Sequence, residues 1–308
     1  MVSVVLRILV PFRPIAAARL DLKMEVPGWE RIRFLAAGSA RTRQPTTLMR
    51  STLTSVWSLI NRFLEWFGDL GLFAWQVVRA AVRRPFEGRE LMRQLDEIGS
   101  RSLPLVALAG AAIGFVLALE SRSSLARYGA KYMLPAALVY SIIHETGPVV
   151  TGLVVSGRVG AGIGAELGSM KVTEQIDAIE ASGVNPYKFL AFTRIVACIL
   201  MLPLLTLAAD FCGVLFGWVA DTLVEPVSFH RFINQGFVGA TFSDFLAPTF
   251  RTAVFGLIIG MIGCFQGMRT QGGTAGVGLS ATSSVVLSSL FVILADVILV
   301  KFILVFFS

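Results

Sequence analysis

Five stretches of this chain are too apolar and too long to remain in water. The first uncharged one, LPLVALAGAAIGFVLAL, runs from Leu103 to Leu119. With its flanks it reaches the roughly 20 residues that a helix needs to cross about 30 Å of hydrocarbon. The expected spans lie at about residues 100–120, 133–167, 187–220, 245–266 and 281–307. The fold class this implies is an all-α integral membrane protein with five transmembrane helices. Composition agrees: of 308 residues 55% are hydrophobic and only 15% charged, far from the balance of a soluble domain.

The net charge of +7 would suggest nucleic acid in a soluble protein. In a membrane protein the basic residues are read by their side of the bilayer, and no nucleic-acid partner is expected. Fifteen of the 27 Lys and Arg precede residue 98, which places the N-terminus in the cytoplasm. An odd number of spans then puts the C-terminus on the opposite side. Arg122, Arg127 and Lys131 fit this badly, because they fall in what reads as a short outer loop, which should be poor in positive charge.

Residues 1–56 read as a basic, loosely ordered cytoplasmic arm. Its opening apolar run is broken by Arg7 and lacks a small-residue cleavage pattern, so it is a poor secretory signal. From Trp57 to Pro85 aromatic residues mix with Glu65 and Asp69. A central Asp costs about 2.5–3.5 kcal/mol in a spanning helix, so an interfacial helix lying in the membrane plane over about 57–85 is expected, with a sixth span as the alternative. Cys198, Cys212 and Cys264 have no CxxC spacing and read as buried small hydrophobes, and no metal site is expected.

The second apolar run is interrupted by HETGP. His144 and Glu145 are ionisable groups at membrane depth, which by default face a cavity or a partner and mark a functional site. Pro148, one residue past Thr146-Gly147, removes a backbone hydrogen bond and is expected to kink or break the helix, freeing a carbonyl nearby. The second histidine of HExxH is missing, so this is not a zinc-protease motif. A structural pairing of His144 and Glu145, with each other or with another helix, is the competing reading. Arg158, Glu166, Asp210, Asp296 and Lys301 are secondary candidates, the last two as an ion pair or an end-of-span anchor. Gly160, Gly164 and Gly168 recur every four residues, so they share one helix face and permit close packing, within the chain or across a dimer.

MKVTEQIDAIEASG, residues 170–183, is a different kind of sequence. Val172, Ile176 and Ile179 fall on one side of a helix and Glu174, Asp177 and Glu180 on another. A short amphipathic helix over about 172–182 is expected, capped by Thr173 and stopped by Gly183 and Pro186. Beside anionic lipid a basic helix would be preferred. An acidic one is either a solvated connector or a handle for a protein partner.

The run HETGPVVTGLVVSGRVGAGIGAELGSMKVTEQIDAIEASGVNPYKFL closely resembles the core signature of the MlaE/YrbE permease family, the membrane subunits of MCE-associated ABC lipid transporters. LPLLTLAADFCG and GTAGVGLSATSSVVLSSLFVILAD are similar to its later segments, so the likeness covers about residues 60–306. The resemblance implies an in-plane N-terminal helix, five spans over 57–308, and a homodimer in the bacterial inner membrane with a periplasmic C-terminus. It implies an ABC ATPase and an MCE-domain protein as partners, with a small STAS-type regulatory subunit as a further one. It makes 172–182 the coupling helix, with Thr173, Glu174, Gln175, Asp177 and Glu180 contacting the ATPase.

By the same likeness His144, Glu145, Gly147 and Pro148 line the cavity for a phospholipid or similar amphiphile. The family commonly has Arg-Glu where this chain has His144-Glu145, and a histidine is only partly charged near neutral pH. The resemblance therefore leaves a lipid phosphate to another group such as Arg158, or to weak binding. No enzyme activity or cofactor is expected of the chain itself, with ATP and Mg held by the ATPase, in keeping with the lack of GxxxxGK[ST]. The alternative of another class is a gradient-driven transporter or channel that uses His144 and Glu145 as a relay.

Overall fold

The computed structural model describes residues 46–81, 87–238 and 242–307. The described residues are all-α, without strands. They form helices α1 (Thr46–Ala81), α2 (Gly88–Arg127), α3 (Lys131–Val172), α4 (Gln175–Ala181), α5 (Tyr187–Val224), α6 (Phe229–Gly236), α7 (Phe242–Met268) and α8 (Gly273–Phe307). Five of these, α2, α3, α5, α7 and α8, are long and apolar enough to cross a membrane. The chain is thus an all-α, multi-pass membrane protein. The expected basic arm lies largely outside the described residues.

Among the described residues, those up to Leu72 belong to one unit and those from Phe73 to another. In the first, the described part of α1 carries exposed Leu64 and Leu72 beside exposed Glu65. The second holds the spans together with the last turns of α1, where Phe73 packs on Tyr187 and Phe265 at centroid distances of 5.9 and 5.7 Å.

The helices outrun the apolar stretches. The 40 residues of α2 extend roughly 60 Å at 1.5 Å each, twice the hydrocarbon thickness. Its first turns are charged and held by local ion pairs, Arg93–Glu90 at 3.1 Å and Arg101–Glu97 at 2.9 Å. At its other end Arg122 and Arg127 are still helical, not in a loop. Arg122 pairs with Asp221 and, at 2.5 Å, with Glu225, which Lys131 also approaches at 4.0 Å. Two of the three positive charges that fit a short outer loop badly, Arg122 and Lys131, are thus offset by carboxylates from the end of α5.

The bundle closes by backbone approach. Gly114 of α2 lies against Gly213 of α5, so closely that a methyl at Gly114 would collide with the Gly213 backbone. Packing rather than water expulsion drives helix association in lipid, and small residues permit it. Gly114→Val is expected to cost about 1–3 kcal/mol by overpacking, read as a lower unfolding midpoint in detergent. At the far end, Ala118, Leu138, Ile142, Val214 and fully buried Phe232 make a core that anchors the short helix α6.

Gly160, Gly164 and Gly168 do form a packing face, and it is used within the chain. Gly160 lies beside the Ser288 hydroxyl of α8, and Ser280 Oγ donates to the Gly164 carbonyl at 3.1 Å. Ser156 and Ser289 share a hydrogen bond of 2.7 Å just beyond.

Candidate functional site

The centre of interest is the α3 segment around HETGP. Pro148 does not break the helix as its sequence suggests. Ile142–Thr146 form a wide π-turn in which the Gly147 N–H donates to the Ile142 carbonyl five residues back, and α3 continues through Gly147–Val155. The wide turn makes room for the proline ring. Such turns are frequent at functional sites. A second one, Ser156–Gly160, contains Arg158.

In an α-helix the His144 carbonyl would accept from residue 148, and a proline has no N–H to give. Arg251 of α7 takes that place: its Nη2 donates to the His144 carbonyl at 2.6 Å. The same nitrogen lies 4.0 Å from Glu145 Oε2, and Arg251 Nε lies 3.3 Å from Asp296 Oδ1 of α8. Neither atom of the Arg251–Asp296 contact makes an aligned hydrogen bond, so that contact is an attraction of charges. The Arg251 side chain is 3% exposed and Asp296 13%, whereas Glu145 is 55% exposed. One buried guanidinium therefore ties α3, α7 and α8 together and leaves a carboxylate facing outward. The His144 ring stacks on Tyr140, 4.1 Å between centroids.

The sequence reading missed Arg251 altogether and took Asp296 and Lys301 as an ion pair or an end-of-span anchor. The structure corrects this: Asp296 faces Arg251, and Lys301 is exposed. The helical offset between residues 296 and 301 carries them to different faces. The available signal was an aspartate in an apolar span with no cation three or four residues away. Arg158 is also bound inside the chain, donating to Ser102 Oγ at 2.5 Å. Arg194, likewise missed, is 1% exposed and pairs with Glu166 at 2.8 Å, joining the start of α5 to the end of α3.

The acidic stretch forms α4 as a helix of 7 residues, Gln175–Ala181, starting later than the expected residue 172. Thr173 does not cap it: its hydroxyl donates to the Ser169 carbonyl at 2.8 Å and closes α3 instead. The turn between the helices is made by Glu174 at φ 59°, the one non-glycine residue in the left-handed region among the described residues. Thr173, Glu174, Gln175, Asp177 and Glu180 are all exposed, while Ile176 is buried. Lys171 and Asp177 pair at 2.8 Å across the turn. A left-handed conformation costs an L-residue about 1–2 kcal/mol, and strain of this kind collects at functional turns. Glu174→Gly is expected to fold normally. Glu174→Val, β-branched and intolerant of positive φ, is expected to loosen the turn, seen as faster amide exchange over residues 173–183.

A multi-pass helical bundle with fixed charges clamped between its spans and an exposed acidic turn on one side is the architecture of a membrane transport subunit. The comparisons narrow it. Residues 91–302 match the family described as Permease MlaE. A probable ABC transporter permease protein of Rickettsia felis is 34% identical over 254 residues, 82% of this chain and 98% of its own length. That of Rickettsia conorii is 35% identical over 78% of this chain and 93% of its own. Protein TRIGALACTOSYLDIACYLGLYCEROL 1, chloroplastic, of Arabidopsis thaliana is 31% identical over 77% of this chain and 68% of its own. The chain belongs to the MlaE permease family.

Proposed function

We propose that the chain is the permease subunit of an ABC transporter that moves a phospholipid or similar amphiphile between the inner membrane and an MCE-domain protein, driven by a separate ATPase that holds the ATP and Mg. The observation that carries this reading is the Arg251 cluster. A cation buried between three spans holds the His144 backbone and lies beside the exposed Glu145 carboxylate, which makes a polar notch for a headgroup in an otherwise apolar wall. Arg251, 3% exposed and held by Asp296 and the His144 carbonyl, positions His144 and Glu145, while half-buried Arg158, which gives one hydrogen bond to Ser102, remains the cation for the phosphate. Gly147 and Pro148 act through the backbone by shaping the turn that presents His144 and Glu145. The packed Gly160, Gly164 and Gly168 face lets α3 and α8 move as one body.

In this reading α4 is the coupling helix, and exposed Thr173, Glu174, Gln175, Asp177 and Glu180 contact the ATPase from the cytoplasmic side. Two copies of the chain form the cavity, α1 lies in the membrane plane, and the C-terminus is periplasmic. A STAS-type subunit is a further partner. The gradient-driven alternative, with His144 and Glu145 as a relay, requires transport that proceeds with no nucleotide-binding partner.

Purification of the tagged full-length chain in mild detergent, with mass spectrometry of the copurifying proteins and lipids, tests the assignment. An ATPase and an MCE protein at near-equal abundance with enriched phospholipid is the expected result. Recovery of the chain without any nucleotide-binding partner would overturn it.

A further inference from the structure

Asp210 stands apart from the clamp. It lies inside α5, is 7% exposed, and makes no hydrogen bond or ion pair among the described residues. Its Oδ1 rests on the bare face of Gly147, in the space that a Cβ at Gly147 would fill, and the Ile142 carbonyl lies 3.0 Å from that same point. Thr151 follows Gly147 by four residues and so shares its helix face. It is fully buried, and its hydroxyl is also without a partner.

The groups at this point are oxygens, a carboxylate and a carbonyl that has already accepted the Gly147 N–H and keeps a second lone pair, and a buried hydroxyl follows one turn along the same helix face. The titratable groups of the packed elements do not answer the charge. Between Arg101 and Glu120, α2 has none. On α3, His144 stacks on Tyr140 and Glu145 faces Arg251. On α7, Arg251 is committed to Asp296 and the His144 carbonyl. Cys264 of α7 donates to the Ala191 carbonyl at 3.9 Å.

A bare carboxylate at membrane depth needs a counter-charge, and oxygen donors select a hard, small cation over a soft one. One carboxylate suits one positive charge. We propose that Asp210, with the Ile142 carbonyl and the Thr151 hydroxyl, forms an intramembrane site for a small monovalent cation, a proton or a sodium ion, set against Gly147 at the wide turn of α3. The site is separate from the Arg251 clamp and does not depend on the ATPase assignment.

The test uses the full-length chain in lipid nanodiscs, without partners. In the proton arm, infrared difference spectra between acid and alkaline buffer are recorded on protein labelled at the aspartate carboxyl carbon. An aspartic-acid C=O band is expected that disappears in Asp210→Asn and persists in Asp296→Asn. In the sodium arm, the unfolding midpoint is compared in sodium chloride and in N-methylglucamine chloride at equal ionic strength and fixed pH. A sodium-dependent rise lost in Asp210→Asn assigns the site to sodium. Should Asp210→Asn not fold, Asp210→Glu replaces it, and the band is expected to lose its aspartate isotope shift. No aspartic-acid band and no sodium response in the parent chain, or both signals unchanged in the variants, overturns the proposal.

Discussion

Arg251→Ala is expected to lower the stability of the bundle by about 3–5 kcal/mol, the usual cost of breaking a buried pair by removing one partner. The loss is large because one side chain serves three groups. Without it Asp296, 13% exposed, keeps an unanswered charge, and the His144 carbonyl loses the donor that replaces the missing Pro148 N–H. Arg251→Met combined with Asp296→Leu removes both charges with similar volume, a change that is often neutral for a buried pair. It is expected to recover most of the unfolding midpoint lost by the single variant. Bound phospholipid, quantified by mass spectrometry, is expected to stay depleted in both. An Arg251→Ala chain as stable as the parent would contradict the clamp, and full lipid retention in the double variant would contradict its role in positioning the headgroup notch.

Glu174→Lys with Asp177→Lys is expected to release the ATPase while leaving the spans folded. Both side chains are exposed, and the one ion pair lost, Lys171–Asp177, is a surface contact with side-chain exposures of 35% and 55%, worth about 0–1 kcal/mol at most. The effect on folding is therefore small. The effect on a basic-seeking contact is not, since two carboxylates become two ammonium groups in a charged rim where like-charge juxtaposition is costly. At least a ten-fold fall in copurified ATPase is expected, about 1.4 kcal/mol in binding, with an unchanged unfolding midpoint. Undiminished capture of the ATPase would assign α4 to a connector.

How much of this was legible in the sequence depends on the range of the interaction. Span number and type followed from apolar length, because hydrocarbon thickness leaves little choice. The packing face of Gly160, Gly164 and Gly168 followed from spacing, although its partners, the serines of α8 and Thr270, did not. Helix ends were not legible: α2 runs on through charged turns at both ends, since local ion pairs and the Arg122–Asp221 contact sustain a helix beyond the membrane. The freed carbonyl near Pro148 was foreseen, but not the donor, because Arg251 is more than a hundred residues away. Periodicity carries no information at that distance. The expected Thr173 cap failed for the opposite reason, being too local. Its hydroxyl had two helices to choose between and closed the one before it.

The central claim is that lipid movement through this chain is driven by ATP hydrolysis on a partner. It is tested most directly by reconstituting the chain with its copurified ATPase in vesicles containing a labelled phospholipid, and following transfer to the MCE protein. Transfer that requires hydrolysable ATP, proceeds with no ion gradient and is lost with Glu174→Lys/Asp177→Lys is the expected result. Transfer by the chain alone under an imposed gradient, with no ATPase present, would contradict it.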